Sequence, residues 1–216
     1  DDNTSSTPNA SPTKTTTYTV IVRQGNCFSD TGYILVVVNP LPTVNAGSDQ
    51  TILAGTPVTL IATATHTTNY LWAPADELSC PTCQSTTVTP SRTTTYTVYV
   101  SNQFGCKAQD EVTISVRCDN SIVFMANTFT PNGDGANDRF YPQGKGVTVI
   151  KRFRVFNRWG ELMYDATDIP PNQEAYGWDG TYKSEPLKPD VFVYLVEATC
   201  VTGEPILLKG DISLVR

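Results

Sequence analysis

One loop of the sequence carries the residue types of a calcium site. Residues 129–138 read FTPNGDGAND. Asn132, Asp134 and Asp138, with the main-chain carbonyl of Ala136, place oxygen ligands at alternate positions, as a calcium-binding loop requires. The bidentate glutamate that closes an EF-hand loop is missing, and Asn, Asp and Gly also build consecutive Asx turns. A calcium site and a plain run of Asx turns therefore both remain open, and no other cofactor is indicated.

Six cysteines in a Thr-rich, Lys-poor chain are typical of an exported protein with disulfides. They are Cys27, Cys80, Cys83, Cys106, Cys118 and Cys200. The spacing of Cys80 and Cys83 fits half a zinc site or a redox motif, but no second cysteine pair follows at zinc-ribbon spacing. We therefore expect structural disulfides with no partners assigned, the candidates being Cys80, Cys83, Cys106 and Cys118. Cys27 is expected to pair with a residue upstream of this chain.

A short basic segment, residues 150–158, reads IKRFRVFNR. Strand alternation places its apolar and basic side chains on opposite faces. The expected apolar face holds Val149, Phe153 and Val155, and the expected basic ridge holds Arg152, Arg154 and Arg158. Such a ridge could dock an acidic partner or could be a solvated face.

The sequence offers little for catalysis. Its only histidine, His66, lies in a polar run, and no nucleophile can be inferred beside it. The carboxylate pairs Asp76/Glu77 and Asp110/Glu111 are adjacent in sequence, so on a strand they point to opposite faces and cannot flank one bond. We therefore expect no enzyme activity.

Composition favours an all-β protein. The chain has 216 residues with many Thr, Val and Ile, which are favoured on pleated, half-buried surfaces. Its net charge is −6 and only 17% of its residues are charged, so we expect no nucleic-acid partner. No apolar run is long enough for a membrane-spanning helix.

An internal repeat indicates tandem modules. Thr15–Val20 reads TTTYTV, and the same six letters recur at Thr93–Val98, 78 residues later. That period fits immunoglobulin-like β-sandwich modules. We expect residues 1–40 to be the last part of a preceding repeat of a longer protein, and residues 41–118 to be a complete repeat. Residues 119–216 carry more charge and are expected to form a C-terminal β-sandwich.

Five motifs within residues 119–216 occur in a family-specific order. They read FTPNGDG at 129–135, FNRWGEL at 156–162, WDGTY at 178–182, VFVY at 191–194 and GDISLVR at 210–216. This series resembles the gliding-motility-associated C-terminal domain, the type B sorting domain of the type IX secretion system of Bacteroidota. The upstream module resembles the Ig-like or PKD-like repeats of SprB-like surface adhesins.

The resemblance implies a folded export signal. Such a protein is secreted through the periplasm and the type IX translocon, is recognised by a PorP/SprF-family outer-membrane protein, and stays on the cell surface associated with the outer membrane. The partner-binding residues expected on this basis are Arg152, Arg154, Asn157, Arg158, Trp159, Gly160, Ile212, Leu214 and Arg216. The last strand, Ile212–Arg216, could be extended by a partner strand or could pair within the sandwich.

The expected function is therefore that of the cell-proximal end of a secreted adhesin, with the upstream sandwiches as a stalk. Two alternatives remain. The same sorting tail could follow a secreted hydrolase, or residues 41–118 could bind carbohydrate. The second alternative requires exposed aromatic side chains at Tyr70 and Trp72, whereas a Trp in a mid-module strand is more often part of the core.

Overall fold

The computed structural model describes residues 4–25 and 28–216. Its long elements are all β-strands, which confirms the predicted all-β fold class. The only helices in these two ranges are the short 3-10 helices Asn120–Ile122 and Glu174–Tyr176. Within the described part of the chain, no helix has the length and apolar character needed to cross a membrane.

The first two strands form a separate hairpin. β1 (Thr16–Gln24) pairs antiparallel with β2 (Phe28–Val36), and neither pairs with another described strand. Apolar side chains are exposed along both strands, including Ile21 at 53% and Tyr33 at 72%. The hairpin therefore lacks a covering sheet. Cys27, expected to pair upstream, lies outside the described residues.

Residues 43–117 form the strands of an Ig-like module. The strands are β3 (Thr43–Asn45), β4 (Gln50–Leu53), β5 (Val58–Ile61), β6 (Thr63–Thr65), β7 (Asn69–Ala73), β8 (Ser85–Val88), β9 (Thr94–Ser101) and β10 (Lys107–Arg117). One sheet has the order β4-β10-β9-β7, with β4 parallel to β10. Two further pairs, β3-β6 and β5-β8, supply the remaining strands. β9 contains the last five residues of the repeated TTTYTV motif, of which Tyr96 and Val98 are buried because alternate residues of the strand face the core.

Trp72 is the centre of the module's core. Its side chain on β7 is 0% exposed, and its indole N–H donates to Cys83 O at 3.0 Å. Tyr70, two residues earlier on the same face, is half-buried. These two residues therefore do not form an exposed aromatic platform, and the carbohydrate-binding alternative that required one is not favoured.

Residues 123–214 form the strands of the C-terminal domain. They are β11 (Val123–Phe124), β12 (Thr128–Phe129), β13 (Gln143–Gly144), β14 (Val147–Phe156), β15 (Leu162–Ile169), β16 (Thr181–Tyr182), β17 (Glu185–Pro186), β18 (Asp190–Cys200) and β19 (Pro205–Leu214). Five of them form one sheet in the order β12-β19-β18-β14-β15. β18 lies at its centre and pairs antiparallel with both β19 and β14.

Aromatic rings fill one face of this sheet. Phe153 of β14 and Tyr194 of β18 both meet Phe140 edge-on, with ring centroids 5.5 and 5.4 Å away. Phe140 is joined to Trp178 by two backbone hydrogen bonds of 2.8 Å, and Trp178 meets Phe192 edge-on at 4.9 Å. Such edge-to-face pairs stabilise a core beyond the area that they bury. The loops carrying Phe140 and Trp178 thereby cover the sheet.

Two disulfides are formed among the cysteines that the structure describes. One joins Cys80 to Cys83 and the other joins Cys118 to Cys200, with Cα atoms 5.5 and 6.4 Å apart. Cys106 was also a disulfide candidate, but it is a free thiol in the structure. The prediction for Cys106 is therefore wrong. Cys200, which was not among the candidates, forms the disulfide with Cys118.

Candidate functional site

Trp159 projects from the turn that joins β14 to β15. Its side chain is 79% exposed, more than any other large apolar side chain in the described ranges. Asn157 Oδ1 accepts hydrogen bonds from the backbone N–H groups of Trp159 (3.0 Å) and Glu161 (2.9 Å). Gly160 adopts φ +81°, which favours glycine, and its N–H donates to Asn157 O. Asn157 and Gly160, both expected at the partner-binding site, thus fix the backbone that presents Trp159.

Glu161 ties this turn to the rest of the domain. One carboxylate oxygen accepts a hydrogen bond from the Asn157 amide at 3.1 Å, and the other accepts one from the Tyr182 hydroxyl at 3.0 Å. Tyr182 belongs to β16, so the turn is held by a second element as well as by its own strands. The exposed indole is therefore carried on a rigid support.

Arg158 lies between Trp159 and β18. Its guanidinium carbon is 5.5 Å from the centre of the Trp159 ring, within cation–π range, and Nη2 donates to the carboxylate of Asp190. Hydrogen bonds from the Val191 N–H and from Arg158 lower the pKa of Asp190, so this carboxylate stays ionised at neutral pH. Arg158 is therefore already paired within the domain.

Apolar side chains continue from the turn onto the outer face of the sheet. Phe156 of β14 stands opposite Leu162 on β15 and Val193 on β18 in the register. Leu162 is 40% exposed, and Val191 and Val193 are each 48% exposed. We call Phe156, Trp159, Leu162, Val191 and Val193 the Trp159 surface. Exposed apolar side chains grouped on one face are typical of an interaction site.

The expected basic ridge is neutralised by acidic residues on the neighbouring strands. Arg152 donates twice to Asp165 of β15, at 3.1 and 2.7 Å, and Arg154 donates to Glu197 of β18 at 2.6 Å. The hydrogen bond from Arg152 lowers the pKa of Asp165. With Arg158 paired to Asp190, the row forms cross-strand ion pairs and offers no free positive charge to an acidic partner. The role of Arg152 and Arg154 in docking an acidic partner stays a prediction, and these ion pairs favour the alternative of a solvated face.

Alternation along β14 is interrupted by irregular pairing. The register with β18 shifts between Val147 and Val149 and again between Ile150 and Arg152. Ile150 is buried as a result, while Val149, expected on the apolar face, is only half-buried. Such bulges redirect side chains that a strict period of two would place on the other face.

The loop at residues 130–138 is a run of Asx turns. Asp138 accepts hydrogen bonds from the backbone N–H groups of Asn132 and Gly133 on one oxygen and of Gly135 on the other, at 3.0, 2.7 and 2.8 Å. Asp134 accepts from the Ala136 N–H and the Asn132 side chain. The bonds to Asp138, led by Gly133, lower its pKa. No cluster of three metal-binding His, Cys, Asp or Glu side chains occurs in the described ranges. The proposed calcium ligands therefore face N–H donors, and the geometry favours turns over a calcium site.

The last strand belongs to the interior of the domain. Ile212 is 0% exposed and Leu214 is 1% exposed, so their side chains lie in the core, and their assignment to the partner-binding site stays a prediction. On the side of β19 away from β18, the Ser213 N–H donates to Asn127 O and the Val215 N–H to Phe129 O. Pairing within the domain therefore occupies this end of the strand.

Arg216 joins two loops beside a shallow cleft. Its Nε donates to Leu187 O at 3.1 Å and its Nη1 to Pro131 O at 3.4 Å. The cleft has a volume of about 290 Å³, and its lining comes from three of the sequence motifs and their neighbours. The lining residues are Pro131, Gly133, Asp138, Arg139, Asp179, Thr181, Pro186 and Arg216. The guanidinium of Arg216 thus holds loops together, and only its exposed face could meet a partner.

Comparison with known families identifies the C-terminal part of the chain. The family model CHU_C Type IX secretion signal domain matches residues 123–210. This region is a type IX secretion signal domain. The match begins at β11 and ends within β19, and it contains the Trp159 surface and the loop at 130–138. A type IX secretion signal implies secretion and retention at the cell surface.

Several solved structures resemble the chain as a whole at low identity. "DIP-gamma IG1+IG2" has 10% identity and a TM-score of 0.32, with 82% of this chain and 98% of that chain covered. Dimeric latent PorU from Porphyromonas gingivalis has 12% identity and a TM-score of 0.33, with coverages of 87% and 22%. A structure of a bacterial ice-binding adhesin has 13% identity and a TM-score of 0.27, with coverages of 82% and 65%. No curated protein matches the chain.

Sequence reasoning missed the sheet residues of the Trp159 surface. The VFVY run at 191–194 carried the signal, because a strand with one solvated face should alternate apolar and polar residues. Phe192 and Tyr194 fill the core face, so Val191 and Val193 lie on the outer face. Four apolar residues in succession thus indicated a second apolar face.

Proposed function

We propose that this chain is the cell-proximal part of a surface adhesin of gliding Bacteroidota, and that its signal domain is recognised through the Trp159 surface by a PorP/SprF-family outer-membrane protein. The upstream Ig-like module serves as stalk, and the role is not enzymatic. The match of residues 123–210 to the secretion signal family supports the sorting role. The adhesin role and the outer-membrane partner are inferred from the motif resemblance.

One observation carries the choice of surface. Trp159 is 79% exposed, yet its turn is fixed by Asn157, Gly160 and Glu161. Exposing an indole gives no stability to the isolated domain, since burying a large apolar side chain is worth about 1.5–3 kcal/mol. Tryptophan is also enriched among residues that dominate binding energies at interfaces. A rigid turn that keeps a Trp in solvent therefore fits recognition better than folding.

The test compares two exposed aromatic residues in the full chain. Residues 1–216 are placed behind an export signal and a fluorescent reporter in a gliding bacterium. Trp159→Ala is expected to lose both surface display and co-purification of the PorP/SprF-type protein. Phe124→Ala is the matched control, because Phe124 is 61% exposed on β11 and lies outside the Trp159 surface.

Thermal unfolding of the purified variants separates recognition from folding. Both substitutions remove exposed side chains, so each should change stability by less than about 0.5 kcal/mol. Normal display of Trp159→Ala, or equal loss in both variants, would contradict recognition through this surface.

A further inference from the structure

The Cys118–Cys200 disulfide joins the entry of the signal domain to its central strand. The two cysteines are 82 residues apart in sequence, and Cys200 is the last residue of β18. Cys200 is 1% exposed, and Cys118 packs against the same hydrophobic core. Thr202 Oγ1 lies 3.1 Å from Cys118 Sγ, so the following hairpin also contacts the bridge. Residues 119–199 therefore lie inside one covalent loop.

Without this bridge, the chain would enter the domain through weakly paired elements. The first strands after Cys118, β11 and β12, contain two residues each, and each pairs with only two residues of its neighbour. β18, in contrast, pairs with β19 from Asp190 to Thr199 and with β14 over most of its length. The disulfide thus connects the end of the module to the most extensively paired strand of the sheet.

A tight backbone contact supports the bridge at the same corner. Ala54, in the turn after β4, is 2% exposed and belongs to the hydrophobic core of the signal domain. A Cβ atom on Gly55 would lie 2.5 Å from Gly146 N, so the two backbones touch where no side chain fits. The Val201 N–H donates to Gly146 O at 2.9 Å, which places this contact beside the end of β18.

We propose that the Cys118–Cys200 disulfide transmits mechanical force. A pull on the upstream modules reaches the signal domain at the end of β18, so it cannot unfold the domain progressively from residue 119. This proposal rests on the proposed retention of a surface adhesin, because only a held adhesin experiences such a pull. The turn that presents Trp159 lies inside the loop closed by the disulfide, so the pull does not extend it. A partner bound at that turn would be pulled against paired strands instead of an unravelling chain.

Single-molecule force spectroscopy tests the proposal on the full chain held at its two ends. The 82-residue separation means that the closed loop hides about 280 Å of extended chain. When the signal domain of the oxidised protein unfolds, the measured extension should not include the length of this loop. The Cys118→Ser/Cys200→Ser variant should release it and should open the domain at a lower force. Cys80→Ser/Cys83→Ser is the matched control, because its bridge spans a separation of only 3.

The wild-type chain provides a second measurement in case the double variant does not fold. In a reducing buffer, unfolding should be followed by a separate step of about 280 Å when the exposed disulfide is cleaved. Equal unfolding forces for the wild-type protein and a folded double variant would overturn the proposal, as would a wild-type extension that already includes the full loop. Failure of the export test with normal force data would refute the proposed function alone.

Discussion

A single methyl group at Gly146 should loosen the joint between the Ig-like module and the signal domain. In Gly146→Ala, the new Cβ would lie 2.5 Å from Ala54 C and 2.6 Å from Ala54 Cβ. The neighbours are backbone and a methyl group, so no flexible side chain can move aside. Overpacking of this kind costs about 1–3 kcal/mol, and the φ of +69° adds about 1–2 kcal/mol for a residue with a Cβ. We therefore expect Gly146→Ala to lose about 2–5 kcal/mol.

Gly203→Ala is the matched control for this substitution. Gly203 also has a positive φ, +89°, but a Cβ there would meet nothing within 4 Å. Gly203→Ala should lose only the stability that the positive φ costs a residue with a Cβ, about 1–2 kcal/mol. Urea unfolding followed by tryptophan fluorescence measures both, since Trp72 reports on the module, and Trp159 and Trp178 report on the signal domain. Equal losses in the two variants would refute the argument that the backbones of the two domains touch.

Three further predictions concern the signal domain. Asp138→Asn should be less stable than the wild type at neutral pH, and the two stabilities should become equal in acid. The lowered pKa of Asp138 contributes stability at pH values above its ordinary pKa of 3.8, and this contribution is lost as pH falls through the pKa of the folded protein. Urea midpoints measured against pH test this. Asn157→Ala should lose about 0.5–1.5 kcal/mol for each of two exposed hydrogen bonds that hold the turn. It should also increase the mobility of Trp159 in fluorescence anisotropy, whereas unchanged anisotropy would contradict the role of Asn157 in the turn. Arg158→Ala should change stability by no more than about 1 kcal/mol, since its ion pair with Asp190 is partly exposed. It should reduce surface display because the guanidinium no longer contacts the Trp159 ring, and normal display would exclude Arg158 from recognition.

The sequence predicted those features that depend on local pattern. The repeated TTTYTV motif lies on a strand, Trp72 fills the module's core, and the Asn-Asp-Gly loop can be read as Asx turns because their hydrogen bonds join residues close in sequence. Features that depend on pairing between distant residues could not be predicted. Nothing in the alternation of β14 shows that Asp165 and Glu197 stand beside Arg152 and Arg154.

The Cys118–Cys200 disulfide and the contact between Gly55 and Gly146 could not be predicted for the same reason. Cys118 and Cys200 are 82 residues apart, and six cysteines allow many connectivities. Gly55 and Gly146 belong to different domains, and a turn glycine in sequence does not reveal that another backbone approaches it. Such contacts follow from the assembled sheets.

Burial divides the residues of the family motifs into those that build the domain and those that present side chains to solvent. In the WDGTY motif, Trp178 is 1% exposed and donates to Thr181 O at 2.9 Å, and Asp179 accepts from the Thr181 N–H and hydroxyl. The loop at 130–138 satisfies its own carboxylates, and the last strand supplies Ile212 and Leu214 to the core.

The FNRWGEL motif carries the most exposed large apolar side chain of the five motifs, Trp159, and the polar groups of Asn157 and Glu161 hold the turn that presents it. Substitutions of the buried motif residues should therefore reduce export through stability, so that display falls together with the unfolding midpoint. Substitution of Trp159 should reduce display at an unchanged midpoint. Plotting display against stability for variants of all the motifs would separate the two classes, and a Trp159 variant that falls on the common line would remove the basis for a recognition role.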